Sequence, residues 1–326
     1  MRGEMIVNKV LEEIMKIGIV PVVTIDCVED AIPLAMALCN GGIPCAEVTF
    51  RTKAAKYAIK EMLKEYPDMM VGAGTILNIE QAEEAIEAGA KFIVSPGFNS
   101  KVVKYCIDNG VVIIPGCNTP SNIEEAIEFG LDTVKFFPAE ASGGLNMIKA
   151  MSAPYGNIKF MPTGGINIDN LNTYLGFNKI IACGGTWMAT KQLIKEGKFE
   201  EIKNITRAAV EKMLGFELLH IGVNTKSNEE ANNIANDFKK LFGFKSKENS
   251  NSIFLGNNIN IMKSISQGKN GYLAIGTNNI IRAIWHLESC GYMVDENSKF
   301  FNGYGELISV YITKEIGGYV IKLIQK

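Results

Sequence analysis

The chain has 326 residues, 47% of them hydrophobic and 21% charged, which is more than one compact core usually needs. A formal net charge of -2, with no strongly basic half, argues against a nucleic-acid partner, and no apolar run approaches the ~20 residues of a membrane-spanning helix. Seven scattered cysteines without a C-x-x-C pair fit reduced thiols in a cytoplasm, and two late histidines, His220 and His286, leave the first two-thirds without imidazole chemistry.

The N-terminal stretch MRGEMIVNKVLEEIMKIG is charged throughout, lacks a signal-peptide core and reads as an amphipathic helix. Short apolar runs then alternate with helix-period segments. The runs are IVPVVTI (19–25), GIPCAEVTF (42–50), DMMVGAGT (68–75), AKFIVSPG (90–97), VVIIPG (111–116), DTVKFFPA (132–139), IKFMPTGG (158–165) and KIIACGG (179–185). Segments between them, such as KAAKYAIKEMLKEY and NIEQAEEAIEAGA, carry apolar residues at i, i+3 and i+4, as helices do. Eight strand–helix units in succession imply a parallel sheet with right-handed crossovers, and eight is the number that closes a (β/α)8 TIM barrel. An open doubly wound sheet is the alternative, weakened by the absence of G-x-G-x-x-G after the first strand.

GKFEEIKNITRAAVEKMLGFE reads as a last helix, after which the composition shifts toward Asn and Ser. Two similar stretches follow, 218–244 and 271–293, and 225–231 aligns with 277–283 without a gap. Each is a strand, a helix ending in Gly-aromatic, and further β-like runs: a repeated β-α-β-β-β unit. The expected domains are therefore 1–215, an α/β barrel, and 216–326, an α+β module of paired repeats.

The chemistry concentrates in the first domain. Alternate strand residues share a face, so in TVKFFPAE Lys135 points away from Val134 and Phe136, into the barrel. It lies near the strand's C-terminal end, where barrel active sites form. The same alternation in CAEVTFRT aims Cys45, Glu47, Thr49 and Arg51 inward. A buried ion network that merely fixes register is the bland alternative. Two glycine turns, Pro162-Thr163-Gly164-Gly165 and Cys183-Gly184-Gly185-Thr186, are expected after strands seven and eight, the usual phosphate loops of such a barrel. An inward amine, a carboxylate, a cation and a phosphate cradle suggest Schiff-base chemistry on a phosphorylated keto acid. To attack a carbonyl the lysine must give up its proton, which apolar walls and a neighbouring cation favour.

EVTFRT, VGAGT, VSPG, TVKFFPAE, PTGGI and CGGTW, in this order, resemble the 2-keto-3-deoxy-6-phosphogluconate (KDPG) / 4-hydroxy-2-oxoglutarate (KHG) aldolases over roughly residues 5–215. The resemblance implies a class I aldolase that needs no metal or cofactor, forms a homotrimer and acts on a small keto acid or phosphorylated sugar acid. It implies that Lys135 forms the Schiff base and Glu47 is the general acid/base. Arg51 and Thr75 would hold the carboxylate region, Pro96 and Thr163 would line the pocket, and Gly164, Gly165, Gly184, Gly185 and Thr186 would hold phosphate. The family often has Ser where Thr186 stands, which leaves fine phosphate geometry open. Two other readings remain: a phosphate-binding barrel that isomerises or transfers, and a sensor in which the barrel binds a keto acid without turnover.

The repeated units of 216–326 resemble the vicinal oxygen chelate (glyoxalase-like) fold, whose active members hold a metal on the first and last strands of each unit. Here His220 stands at the first such position, Tyr272 at its counterpart, and Lys322 where a Glu is usual; no Asp or Glu occurs between Asn249 and Lys263. One ligand candidate in four implies a metal-free binding, regulatory or oligomerisation module. His286 reads as an ordinary helix residue.

Overall fold

Strand and helix alternate through the first part of the chain because apolar runs of three to five residues are punctuated by capped amphipathic helices. The computed structural model describes the backbone of residues 2–326 and the side chains of residues 9–326. It divides into two compact units, Met1–Met213 and Leu214–Lys326. In the first, α1 (Arg2–Ile17) leads into β1 (Ile19–Val23), α2 (Ala31–Asn40), β2 (Cys45–Thr49), α3 (Ala55–Glu65), β3 (Met70–Gly74), α4 (Ile79–Glu87), β4 (Phe92–Val94), α5 (Ser100–Asp108), β5 (Val112–Ile114) and α6 (Pro120–Glu128). β6 (Thr133–Phe136), α7 (Gly144–Ser152), β7 (Lys159–Pro162), α8 (Leu171–Leu175), β8 (Cys183–Gly185), α9 (Lys191–Lys195) and α10 (Phe199–Leu214) follow.

Asn78, Asn99 and Thr119 cap α4, α5 and α6 by accepting N–H bonds from the first turn, each worth about 1 kcal/mol. The helices' apolar stripes bury Leu34, Leu38, Ile59, Met62 and Val103 against Ala46, Val48, Val71, Ala73 and Ile93 of the strands. Each such fully buried aliphatic side chain contributes roughly 1.5–3 kcal/mol.

The strands run parallel in the order β5-β4-β3-β2-β1-β8, with β6 and β7 forming a separate parallel pair. Single parallel bridges join the two: Gly116 with Lys135 on one side, and Phe160 with Ile180 and Thr163 with Gly184 on the other.

One expectation is corrected. Cys183–Gly185 is not a turn after the eighth strand but the strand itself, paired with Ile19–Pro21. The glycines are there for close approach rather than for a turn. A Cβ at Gly184 would lie 2.3 Å from Thr163 Oγ1, and one at Gly185 would lie 1.7 Å from the Trp187 ring. Gly164 and Gly165, at φ 98° and 83°, do form a left-handed turn that side chains resist.

The second unit holds one eight-stranded sheet. β9 (Glu217–Val223), α11 (Asn228–Phe242), β10 (Ser246–Glu248), β11 (Ser252–Leu255) and β12 (Ile259–Met262) are followed by β13 (Gly271–Thr277), α12 (Ile280–Ser289), β14 (Phe300–Phe301), β15 (Leu307–Ile316) and β16 (Tyr319–Gln325). The spatial order is β10-β11-β12-β9-β13-β16-β15-β14. In each half the first strand pairs parallel with the last, and the two first strands pair antiparallel at the centre. The aligned stretches 225–231 and 277–283 carry the strand-to-helix turns, where Ser227 caps α11 and Asn279 caps α12.

Candidate active site

A cavity of 290 Å³ is lined by Val22, Thr24, Glu47, Thr49, Arg51, Thr75, Pro96, Lys135, Phe137, Thr163, Gly164, Gly165, Ile166, Gly185 and Thr186. These residues come from the C-terminal ends of the parallel strands and the loops that follow them. Lys135, on β6, is 5% exposed, and its backbone is fixed on both sides: its N–H donates to Pro115 O and its C=O accepts from Cys117 N–H, each at 2.8 Å. Its Nζ donates to Glu47 Oε1 at 3.2 Å and lies 5.4 Å from the Phe137 ring centroid.

Glu47, on β2, is 1% exposed, and its second oxygen, Oε2, is buried with no partner among the described residues. Gly74 on the adjacent β3 is what admits this carboxyl, since a Cβ there would lie 2.2 Å from Glu47 Oε1. A carboxylate held this way accepts one proton-bearing group and presents a free oxygen to a second, the arrangement a shuttling acid/base needs.

Around this pair, Thr49 Oγ1 donates to Val23 O at 3.0 Å, which leaves it to accept from Thr24 Oγ1 at 2.8 Å. Thr75, just past β3, has φ 59°, a left-handed conformation that costs a β-branched residue about 1–3 kcal/mol and recurs where function fixes the backbone. Thr163 Oγ1 is buried and has no partner among the described residues, a hydroxyl available to a guest. Arg51 stands in the turn after β2, exposed at the cavity's edge. The loop after β7 is laced to the one after β6: Ala139 N donates to Thr163 O at 2.8 Å and Glu140 N to Gly164 O at 3.0 Å. Tyr174 in turn donates its hydroxyl to Glu140, and burial raises the tyrosine pKa.

Of the site residues read from sequence, the structure brings Lys135, Glu47, Arg51, Thr75, Pro96, Thr163, Gly164, Gly165, Gly185 and Thr186 to one cavity. Gly184 does not line it; it lies behind Thr163 and makes room for that side chain. Thr49 and Phe137, on the same strand faces as Glu47 and Lys135, also line the cavity, and Val22, Thr24 and Ile166 line it without having been singled out from sequence. For Thr24 the readable signal was its alternation with Val22 in an otherwise apolar run. Ile166 offered none.

A buried amine thus stands one hydrogen bond from a buried carboxylate, in a cavity at the ends of parallel strands. Residues 10–205 match the family model for KDPG and KHG aldolases. The 2-dehydro-3-deoxy-phosphogluconate aldolase of Treponema pallidum is 47% identical over 202 residues, covering 62% of this chain and 96% of its own length. The KHG/KDPG aldolase of Escherichia coli K12 is 39% identical over 201 residues, 61% of this chain and 94% of its own. Among solved structures, KDPG aldolase from Legionella pneumophila, with pyruvate captured as a covalent carbinolamine, is 36% identical, covers 61% of this chain and 97% of its own, and superposes with a TM-score of 0.59. The 3-phosphoglycerate-bound enzyme of Zymomonas mobilis is 37% identical, covers 61% and 94%, and has a TM-score of 0.56. The chain belongs to the KDPG and KHG aldolase family. It is a class I aldolase, a carbon–carbon lyase.

Proposed function

We propose that this protein cleaves KDPG to pyruvate and glyceraldehyde 3-phosphate, KHG to pyruvate and glyoxylate, or both, through a Schiff base on Lys135. The observation that carries the reading is the buried Lys135–Glu47 pair with Glu47 Oε2 unpartnered. Lys135 Nζ adds to the C2 carbonyl, and loss of water gives an iminium that serves as an electron sink. Glu47 takes the C4 hydroxyl proton, the C3–C4 bond breaks with its electron pair flowing to the iminium, and the aldehyde leaves. Glu47 returns the proton to C3 of the enamine, and water frees pyruvate and the amine. One carboxylate serves both steps because it alternates between base and acid.

In this reading Arg51 and Thr75 hold the substrate carboxylate region, while Pro96 and Thr163 form the walls. The Gly164–Gly165 turn, Gly185 and Thr186 offer donors to a phosphate. Gly184 serves the site by accommodating Thr163. The eight parallel strands act as a (β/α)8 barrel, a view supported by their sequential neighbours and joining bridges. The first domain ends near residue 215, the working assembly is a homotrimer, and the enzyme acts in the cytoplasm. The second domain, 216–326, is a metal-free relative of the vicinal oxygen chelate modules, supported by its paired β-α-β-β-β halves.

Incubation with pyruvate and borohydride, followed by peptide mass spectrometry, tests the chemistry. A reduced adduct on Lys135 that disappears in Lys135→Met is expected. Folded protein that traps nothing at Lys135 overturns the proposal. Turnover on each substrate then ranks them.

A further inference from the structure

The face of the second sheet opposite α11 carries a polar cluster that the lyase chemistry does not use. Register places it. Asn260 is opposite Gly222, and Gly222 is opposite Tyr272. In the next row His220 is opposite Ala274, Ala274 opposite Lys322, and Lys322 opposite Tyr311. Opposed residues and i, i+2 neighbours share a face, so all of these project to one side. The alternating Val223, Ile253, Leu255 and Ile261 pack on the other side with Ala231 and Ala235 of α11.

The small residues Gly222 and Ala274 make room for the large ones. Tyr272 lies across Gly222, where a Cβ would sit 2.1 Å from the ring. Its hydroxyl meets His220 Nε2 at 3.2 Å and accepts from Asn260 Nδ2 at 2.7 Å. Asn260 is 6% exposed, and its Oδ1 has no partner among the described residues. Turning the amide over only exchanges which end is orphaned.

Lys322 Nζ lies 5.3 Å from the Tyr311 ring and 5.7 Å from that of Tyr272. Among the described residues no carboxylate approaches it within ion-pair distance. Burial pushes the Lys322 pKa down; burial, then the Lys322 charge, pushes that of His220 down. A partly desolvated ammonium with no counter-ion is costly for a protein to keep. The cost is offset when an anion arrives.

We propose that this cluster binds a small monocarboxylate with a planar apolar body, its carboxylate on Lys322 and His220 and its body against Tyr272, Tyr311 and Phe254. The donor set selects the class. A metal needs about three deprotonated ligands, and here one imidazole stands beside an ammonium that repels cations. A phosphate dianion calls for several cations or free backbone N–H groups. Within the cluster the cation is Lys322; Lys247, opposite Phe254 on the edge strand β10, and Glu315, opposite Val320, share the face but are exposed, and the backbone of the face is occupied in the ladder. One positive charge matches one carboxylate. The aromatic edges suit a flat body: His220 lies 5.1 Å from the Phe254 ring and Tyr272 lies 6.1 Å from that of Tyr311. The site lies wholly within the second unit, so it stands apart from the lyase reading.

The two histidines make the test clean. The ring C2–H resonances of the full-length protein are assigned with His286→Gln and followed by NMR during titration with benzoate, and separately with inorganic phosphate. Benzoate is expected to shift His220 saturably at millimolar concentration and leave His286 in place, while phosphate shifts neither. Lys322→Met should weaken the benzoate response at least about tenfold, and Lys322→Arg should retain it. The proposal is overturned by an unmoved His220, by an equal response to phosphate, or by a response that survives in folded Lys322→Met.

Discussion

Gly74→Ala tests the proposed acid/base pairing without replacing either member. Gly74 lies on β3 with no left-handed φ, so alanine is compatible with its backbone. The added Cβ would stand 2.2 Å from Glu47 Oε1 and 2.6 Å from Glu47 Cγ. Restoring the 3.4 Å of ordinary contact needs the carboxyl to retreat by about 1.2 Å. Misplacing a reacting group by about 1 Å costs on the order of 100-fold in rate, or about 2.7 kcal/mol in the barrier. Overpacking a buried site costs about 1–3 kcal/mol of stability. The assay is pyruvate release from KDPG, followed by NADH consumption with added lactate dehydrogenase, alongside a thermal melt. The expected variant melts a few degrees lower, stays folded at assay temperature and loses about two orders of magnitude in kcat. A folded variant within a few-fold of wild type would show that the Glu47 position does not govern the reaction.

Thr75→Gly relieves the left-handed backbone at φ 59° and is expected to keep or raise the melting temperature while raising KM for the keto acid; a lower melting temperature counts against stored strain. A thiol reagent at neutral pH should modify Cys290 and Cys27 before the buried Cys106 and Cys117, whose pKa values burial pushes up to about 12. Cys27 should lag behind Cys290, because its thiol donates to Glu29 at 2.8 Å and that hydrogen bond raises its pKa; peptide mapping over time reads the order. Lys322→Met should raise thermal stability at neutral pH. The folded state depresses the Lys322 pKa, so the charged amine opposes folding below the folded pKa, and the penalty fades as the pH climbs through the unfolded value of about 10.4. Melting curves from neutral to alkaline pH should therefore converge for wild type and variant.

Much of the cavity was legible because strand alternation is a strict rule. Glu47 and Thr49 fall on one face of CAEVT, and Lys135 and Phe137 on one face of TVKFF, whatever packs around them. The glycines were harder to read. Gly164 and Gly165 serve a turn and Gly184 and Gly185 a close contact, and a sequence prints both as Gly-Gly. Gly74 and Glu140 support the site only through contacts made across strands and loops, which no local pattern records. In the second unit the repeat was visible from 225–231 and 277–283. Asn260 was not singled out, because its meeting with Tyr272 depends on how β12, β9 and β13 line up in register.

The bridge between β6 and the segment after β5 joins Gly116 to Lys135 itself, whose main chain is gripped by Pro115 and Cys117. The stitch onto β6 is thus made by the residue that the proposed chemistry casts as nucleophile. Under the proposed chemistry, the placement of the amine therefore depends on this seam being closed.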